Sequence, residues 1–124
     1  MIYSENGKEQ DRFIAFVEYA LGILAQEDYT SFLTLFDRNR MTEQDLILAL
    51  RYLDETWPVL KIDDPAQVKT EKRDIFFTSF RDGSGYHIDY DLTTEGKRND
   101  LTLQVEFFKE KDGYIAVLDD LHTL

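Results

Sequence analysis

The chain contains no cysteine. Disulfides, thiolate nucleophiles and sulfur-based zinc sites are therefore excluded. Basic residues are in the minority, with 14 Lys and Arg against 25 Asp and Glu, for a net charge of −11. Six of the excess negative charges fall in the first sixty residues and five in the rest, so the acidity is no appended tail. Repulsion from phosphate disfavours DNA, RNA and anionic membrane as partners, whereas a basic protein would be attracted. No apolar run approaches the 18 or more residues of a spanning helix. The polar start, MIYSENGKEQ, has no basic segment leading into an apolar one. The expectation is a soluble, cytoplasmic protein. Motifs of known chemistry are missing too: there is no HExxH, nucleophile elbow or calcium loop. Residues 82–85, Asp-Gly-Ser-Gly, lack the lysine and following helix of a phosphate loop and read as a hairpin turn. No repeat, low-complexity tract or linker divides the chain, so residues 1–124 are expected to form one domain.

What is present is a globular composition, 43% hydrophobic and 31% charged. Nine Phe and seven Tyr are more than a thin core can hide, so some should line a groove, a pocket or a contact surface. Phe13, Phe16, Val17, Ala20, Leu21 and Leu24 recur at helical spacing and predict a first helix ending near residue 25. Asp28 opens a second, short helix carrying Tyr29, Phe32, Leu33 and Phe36, and the polar run 37–40 ends it. Thr42 and Asp45 occupy capping-box positions, with Met41 and Leu46 as a hydrophobic staple. The third helix, with Leu46, Leu50 and Leu53, should stop near residue 55 because Pro58 follows.

The period then shifts to two. Residues 57–62 read as a short strand or an extended link, and 63–65 as a turn. Strands are predicted over 74–80, 86–92, 101–108 and 114–118, with a polar loop at 93–100. Helices followed by strands make an α+β class, with N-terminal helices packed on an antiparallel sheet.

This order, with Phe13, Phe16, Val17, Leu21 and Leu24 on the inward face of a long first helix, resembles the NTF2-like (cystatin-like α+β) superfamily along the whole chain. The resemblance implies a sheet curved into a cone around the first helix. Enzymes of that superfamily place an acid–base pair, Asp with His or Tyr with Asp, inside the cone. No such set is evident here, which counts against isomerase or dehydratase activity. The closing segment 112–124, DGYIAVLDDLHTL, is similar to the ends of small bacterial proteins of unassigned role, some of them grouped with the immunity proteins of toxin systems. That likeness implies an inhibitory binding role.

The expected function is thus an acidic protein-binding module, of the immunity type, that takes a basic partner such as a toxin domain. Its candidate contacts are Asp89, Asp91, Glu106, Asp119 and Asp120 around the aromatic anchors Tyr86 and Tyr90. The alternative is a small-molecule binder or enzyme using the cone interior through Tyr86, Tyr90 and His87. A homodimer through the exposed sheet face is a third reading. His87, Asp89 and Asp91 alternate on one strand face and suit either a divalent metal or a solvated surface. Asp119, Asp120 and His122 can form an acid–base group, or can simply face water while Leu118, Leu121 and Leu124 pack. Trp57 either anchors the crossover to the sheet or serves as an interface anchor. Lys69, Lys72 and Arg73 form a basic cluster diluted by Glu71 and Asp74. No cofactor is implied.

Overall fold

The apolar stripes and the alternating segments condense into three helices and five strands in a computed structural model that describes residues 1–68 and 74–123. In chain order these are α1 (Glu9–Ala25), α2 (Tyr29–Thr34), β1 (Arg38–Asn39), α3 (Glu43–Ala49), β2 (Ile75–Ser79), β3 (Gly85–Thr94), β4 (Lys97–Lys109) and β5 (Tyr114–Thr123). The basic cluster Lys69, Lys72 and Arg73 and the terminal Leu124 lie outside the described residues. No helix among the described residues is long and apolar enough to cross a membrane.

Local chemistry starts the helices as expected. Asp28 accepts a hydrogen bond from the Ser31 N–H at 3.1 Å. Thr42 and Asp45 close a reciprocal capping box, with bonds of 3.1 and 2.9 Å. These bonds hold the acids in their charged form. Asp28 is lowered below its ordinary 3.8 by the Ser31 side chain and then its backbone. Asp45 is lowered by the Thr42 backbone and then its side chain. Asp82 is lowered in the same way by Ser84 in the β2–β3 turn. A carboxyl with a depressed folded pKa stabilises the fold above its unfolded pKa, and that contribution disappears as pH falls through the folded value. The melting temperature is therefore expected to decline as pH drops below about 4. In Asp28→Asn and Asp45→Asn variants, which keep an acceptor without the titration, the decline should be shallower. Melts at stepped acid pH check this, and an identical slope in the variants would sink it.

The sheet order is β1-β5-β4-β3-β2. β2 to β5 form an antiparallel meander, and β1 joins β5 in parallel, pairing Arg38 with Val117 and Asn39 with Leu118. One sheet face carries Tyr86, Ile88, Tyr90 and Leu92 from β3, Leu101, Leu103, Val105 and Phe107 from β4, and Tyr114, Ala116, Leu118 and Leu121 from β5. They pack with Phe13, Val17, Leu21 and Leu24 of α1, Phe32 of α2 and Leu46 and Leu50 of α3 in one core. Phe13 stacks on Phe107 with centroids 4.2 Å apart.

The sheet corrects the NTF2-like, cystatin-like expectation. It is mixed and open, neither curved nor closed into a cone. β1 and β2 remain two separate edges. The space a cone would enclose is taken up by helix side chains lying against the inner face, with Phe13 seated between Tyr86, Phe107 and Tyr114. The α+β arrangement with helices first stands.

Three boundaries also differ from the periodicity. The expected loop 93–100 is instead a continuation of β3 and β4 around a two-residue turn, Glu95 at φ 52° and Gly96 at φ 78°. Two left-handed residues match the twist of the flanking strands. Asp63 secures that turn, accepting from Thr93 Oγ1 at 2.7 Å, Gly96 N at 2.8 Å and Glu95 N at 3.1 Å. β5 runs past residue 118 to Thr123, pairing with β4 on both sides of a register shift between Gln104 and Val105. Finally, α3 ends at Ala49, well before Pro58. Residues 57–62 are an extended link, held by the Leu60 N–H to the Leu50 carbonyl at 2.8 Å.

Candidate functional site

Strand parity decides which side chains can meet a partner. On β3, Tyr86, Ile88 and Tyr90 turn to the core, so His87, Asp89 and Asp91 turn outward. The register sets Asp89 opposite Gln104, His87 opposite Glu106 and Asp91 opposite Thr102. On β5 the register shift inserts one residue, so that Leu118 and Leu121 both reach the core while Asp119 and Asp120 lie between them. All five candidate carboxylates are thereby gathered on the outer face.

Each carboxylate there has a partner within the chain. Arg40, which follows β1, bridges Glu106 and Asp119, the latter at 2.8 Å. The hydrogen bond to Asp119, with the charges of Glu106 and Asp119, raises the Arg40 pKa further. Arg98 pairs with Asp91 and, at 3.1 Å, with Asp74. Thr102 Oγ1 donates to Asp91 at 2.8 Å. His87 Nε2 lies 2.5 Å from Asp89 Oδ1, which also accepts from Gln104 Nε2 at 3.2 Å. His122 Nδ1 stands 3.9 Å from Asp120.

An apolar strip borders these charges. Phe80 and Phe108 stack with centroids 5.4 Å apart. Phe76 projects from β2 with 67% of its surface exposed. Two shallow hollows flank Phe108. One, about 440 Å³, is bounded by Arg38, Arg40, Ile115 and Val117. The other, about 390 Å³, is bounded by Phe80, Arg81 and Glu106.

The two tyrosine candidates stand elsewhere. Tyr90 is wholly buried, and its hydroxyl donates to Glu18 Oε2 of α1 at 2.6 Å. Tyr86 stacks on Phe77 at 5.0 Å and sits beside Phe13 on the inner face. Neither shares a face with the carboxylates, and His87 is separated from both by the thickness of the sheet. The aromatics that do share the outer face with the carboxylates are Phe76, Phe80 and Phe108. Their parity was visible in the strand alternation. Arg40 and Arg98 carried no such signal, because their partners are set by tertiary register. Among the described residues no group of three or more His, Asp or Glu side chains is arranged to hold a metal ion.

No curated protein and no solved structure matches the chain. One family model does, described as Domain of unknown function (DUF7668), over residues 23–124. That span begins inside α1 and includes every strand and the whole outer face. The chain belongs to the DUF7668 domain family.

Proposed function

We propose that this chain is a protein-binding module that receives a basic protein partner on the outer face of its sheet. The observation that supports this is the gathering of Asp89, Asp91, Glu106, Asp119 and Asp120 on one face beside Phe76, Phe80 and Phe108. The internal partners of those acids do not oppose the reading. Arg40 and Arg98 are about half exposed, and ion pairs in such positions contribute only about 0–1 kcal/mol. Lysines and arginines of a partner can replace them at small cost, while the phenylalanines supply contact area that excludes water. An immunity protein masking a basic toxin domain in the cytoplasm is the narrower form of this reading. A second copy of the chain fits less well, since it would set carboxylates against carboxylates.

The test uses a small basic protein domain, taken from the products of the neighbouring genes where one of them encodes it. Wild-type protein should bind it with an association rate that falls steeply as salt is raised. The Asp89→Asn, Asp120→Asn double variant should associate about tenfold more slowly at low salt and respond less to salt. Absence of binding, or binding indifferent to both salt and substitution, would reject the proposal.

A further inference from the structure

The turn that ends α3 places two bulky residues in left-handed backbone. Tyr52 and Leu53 both adopt left-handed backbone, at φ 53° and 62°. The Tyr52 N–H bonds the Ala49 carbonyl at 3.0 Å and the Leu53 N–H bonds the Leu48 carbonyl at 2.9 Å. This is the paired closure that usually places glycine at the left-handed position. For Tyr52 a compensation is visible, since its hydroxyl donates to the Asn99 carbonyl at 2.7 Å and ties the turn to β4. Leu53 contributes its N–H to the helix closure, but its side chain is 63% exposed, so most of that apolar surface meets solvent. Nearby, Arg51 Nε is buried and has no hydrogen-bond partner among the described residues.

The same turn displays the chain's only tryptophan. Trp57 is 56% exposed and meets Tyr52 edge-on, with centroids 6.5 Å apart. In the same segment of chain, a groove of about 650 Å³ runs along α3, lined by Gln44, Asp45, Ile47, Leu48, Arg51 and Glu55. Residues 43–57 hold four carboxylates, Glu43, Asp45, Asp54 and Glu55, against the single guanidinium of Arg51. Apolar anchors ringed by negative charge match apolar side chains flanked by positive charge. A second copy does not match them, because it would bring the same acidic ring against itself and carries the same net charge of −11.

We infer that Leu53, Trp57 and the α3 groove form a second docking surface, separate from the outer sheet face, for a protein segment bearing apolar side chains flanked by Lys or Arg. Left-handed backbone in residues other than glycine clusters at ligand-binding and switch sites, and the apolar side chains this turn exposes most are Leu53 and Trp57.

Trp57 reports on its own surface, since no other tryptophan contributes emission. The probe is a synthetic peptide of leucines flanked by lysines, with a leucine-to-serine peptide of equal charge as control. The leucine peptide should shift Trp57 emission to shorter wavelength and move backbone amide resonances of residues 44–57, and the serine peptide should do neither. Leu53→Gly should bind about tenfold more weakly while melting about 4 °C higher, because glycine relieves the left-handed strain. The higher melting temperature separates lost contact from lost fold. Unchanged emission, resonance shifts confined to the outer sheet face, or undiminished binding by Leu53→Gly would overturn the inference. So would a blue shift that develops with protein concentration alone, which would assign the surface to a second copy. Shifts confined to the outer face would sink this inference and leave the proposed outer-face function standing.

Discussion

Phe13→Ala is expected to destabilise the protein by about 3–5 kcal/mol, the cost of emptying a fully packed aromatic site. Phe13 has no exposed surface. Its ring lies parallel to Phe107 at 4.2 Å, with Tyr114 edge-on at 4.9 Å and Tyr86 tilted at 5.7 Å. α1 rises above this contact and presents Val17, Leu21 and Leu24 along the same stripe. Removing the ring leaves a cavity between helix and sheet that neither rigid element can collapse to fill. Urea titration of the variant against wild type measures the loss. Tyr19→Ala, on the exposed side of the same helix, should change stability little and serves as the control. A loss below about 1 kcal/mol for Phe13→Ala would mean that this ring does not seat α1 on the sheet.

Gly85→Ala is expected to cost about 3 kcal/mol, at the upper end of overpacking penalties, and to lower the melting temperature by about 10 °C. A Cβ at this position would stand 1.9 Å from the Phe107 carbonyl oxygen and 2.9 Å from its carbonyl carbon. The obstruction is backbone of the neighbouring strand, so no rotamer change relieves it. β4 would have to move away from β3 at the point where Gly85 pairs with Phe108. On the outer face this is also where Phe80 and Phe108 stack, so the variant should loosen the apolar strip as well. Thermal melts give the stability change. Amide exchange at residues 85 and 107 should rise more than exchange near the Glu95–Gly96 turn. Stability equal to wild type would rule out the close approach.

The features legible in the sequence were those written locally. The stripe of α1, the Thr42–Asp45 box and the alternation of Ile88, Tyr90, Leu103 and Val105 each depend on neighbours within a few positions. The features that escaped depend on distant partners. Arg38 and Asn39 read as a polar stop to α2, yet they pair with β5 across the chain. Arg40 stood in the polar run 37–40 and Arg98 in the expected loop 93–100, whereas register sets them over Glu106, Asp119 and Asp91. α3 stopped early because Tyr52 and Leu53 turn left-handed, against the preference of both residue types. Asp89, Asp91 and Glu106 follow from parity, whereas bringing both Asp119 and Asp120 to the outer face took the register shift in β5, and Tyr86 and Tyr90 belong by parity to the core. The cone failed for a related reason. Element order fixes which layers exist but says nothing about whether a sheet's two edges meet.

The parallel strand β1 has a consequence for the order in which the molecule can be made. It leaves the helical third to lie against β5, and Asp37 accepts from the Ala116 N–H across 79 positions of sequence. The β2–β5 meander closes through short turns, whereas this contact must close 79 positions of sequence and carries a correspondingly larger entropic cost. On the ribosome, the helices emerge first and β1 has no strand to join until β5 has cleared the exit tunnel. β1 must therefore wait, its ladder groups unpaired, until β5 has been synthesised. That interval is when the nascent chain is most open to capture by a chaperone or by another copy of itself.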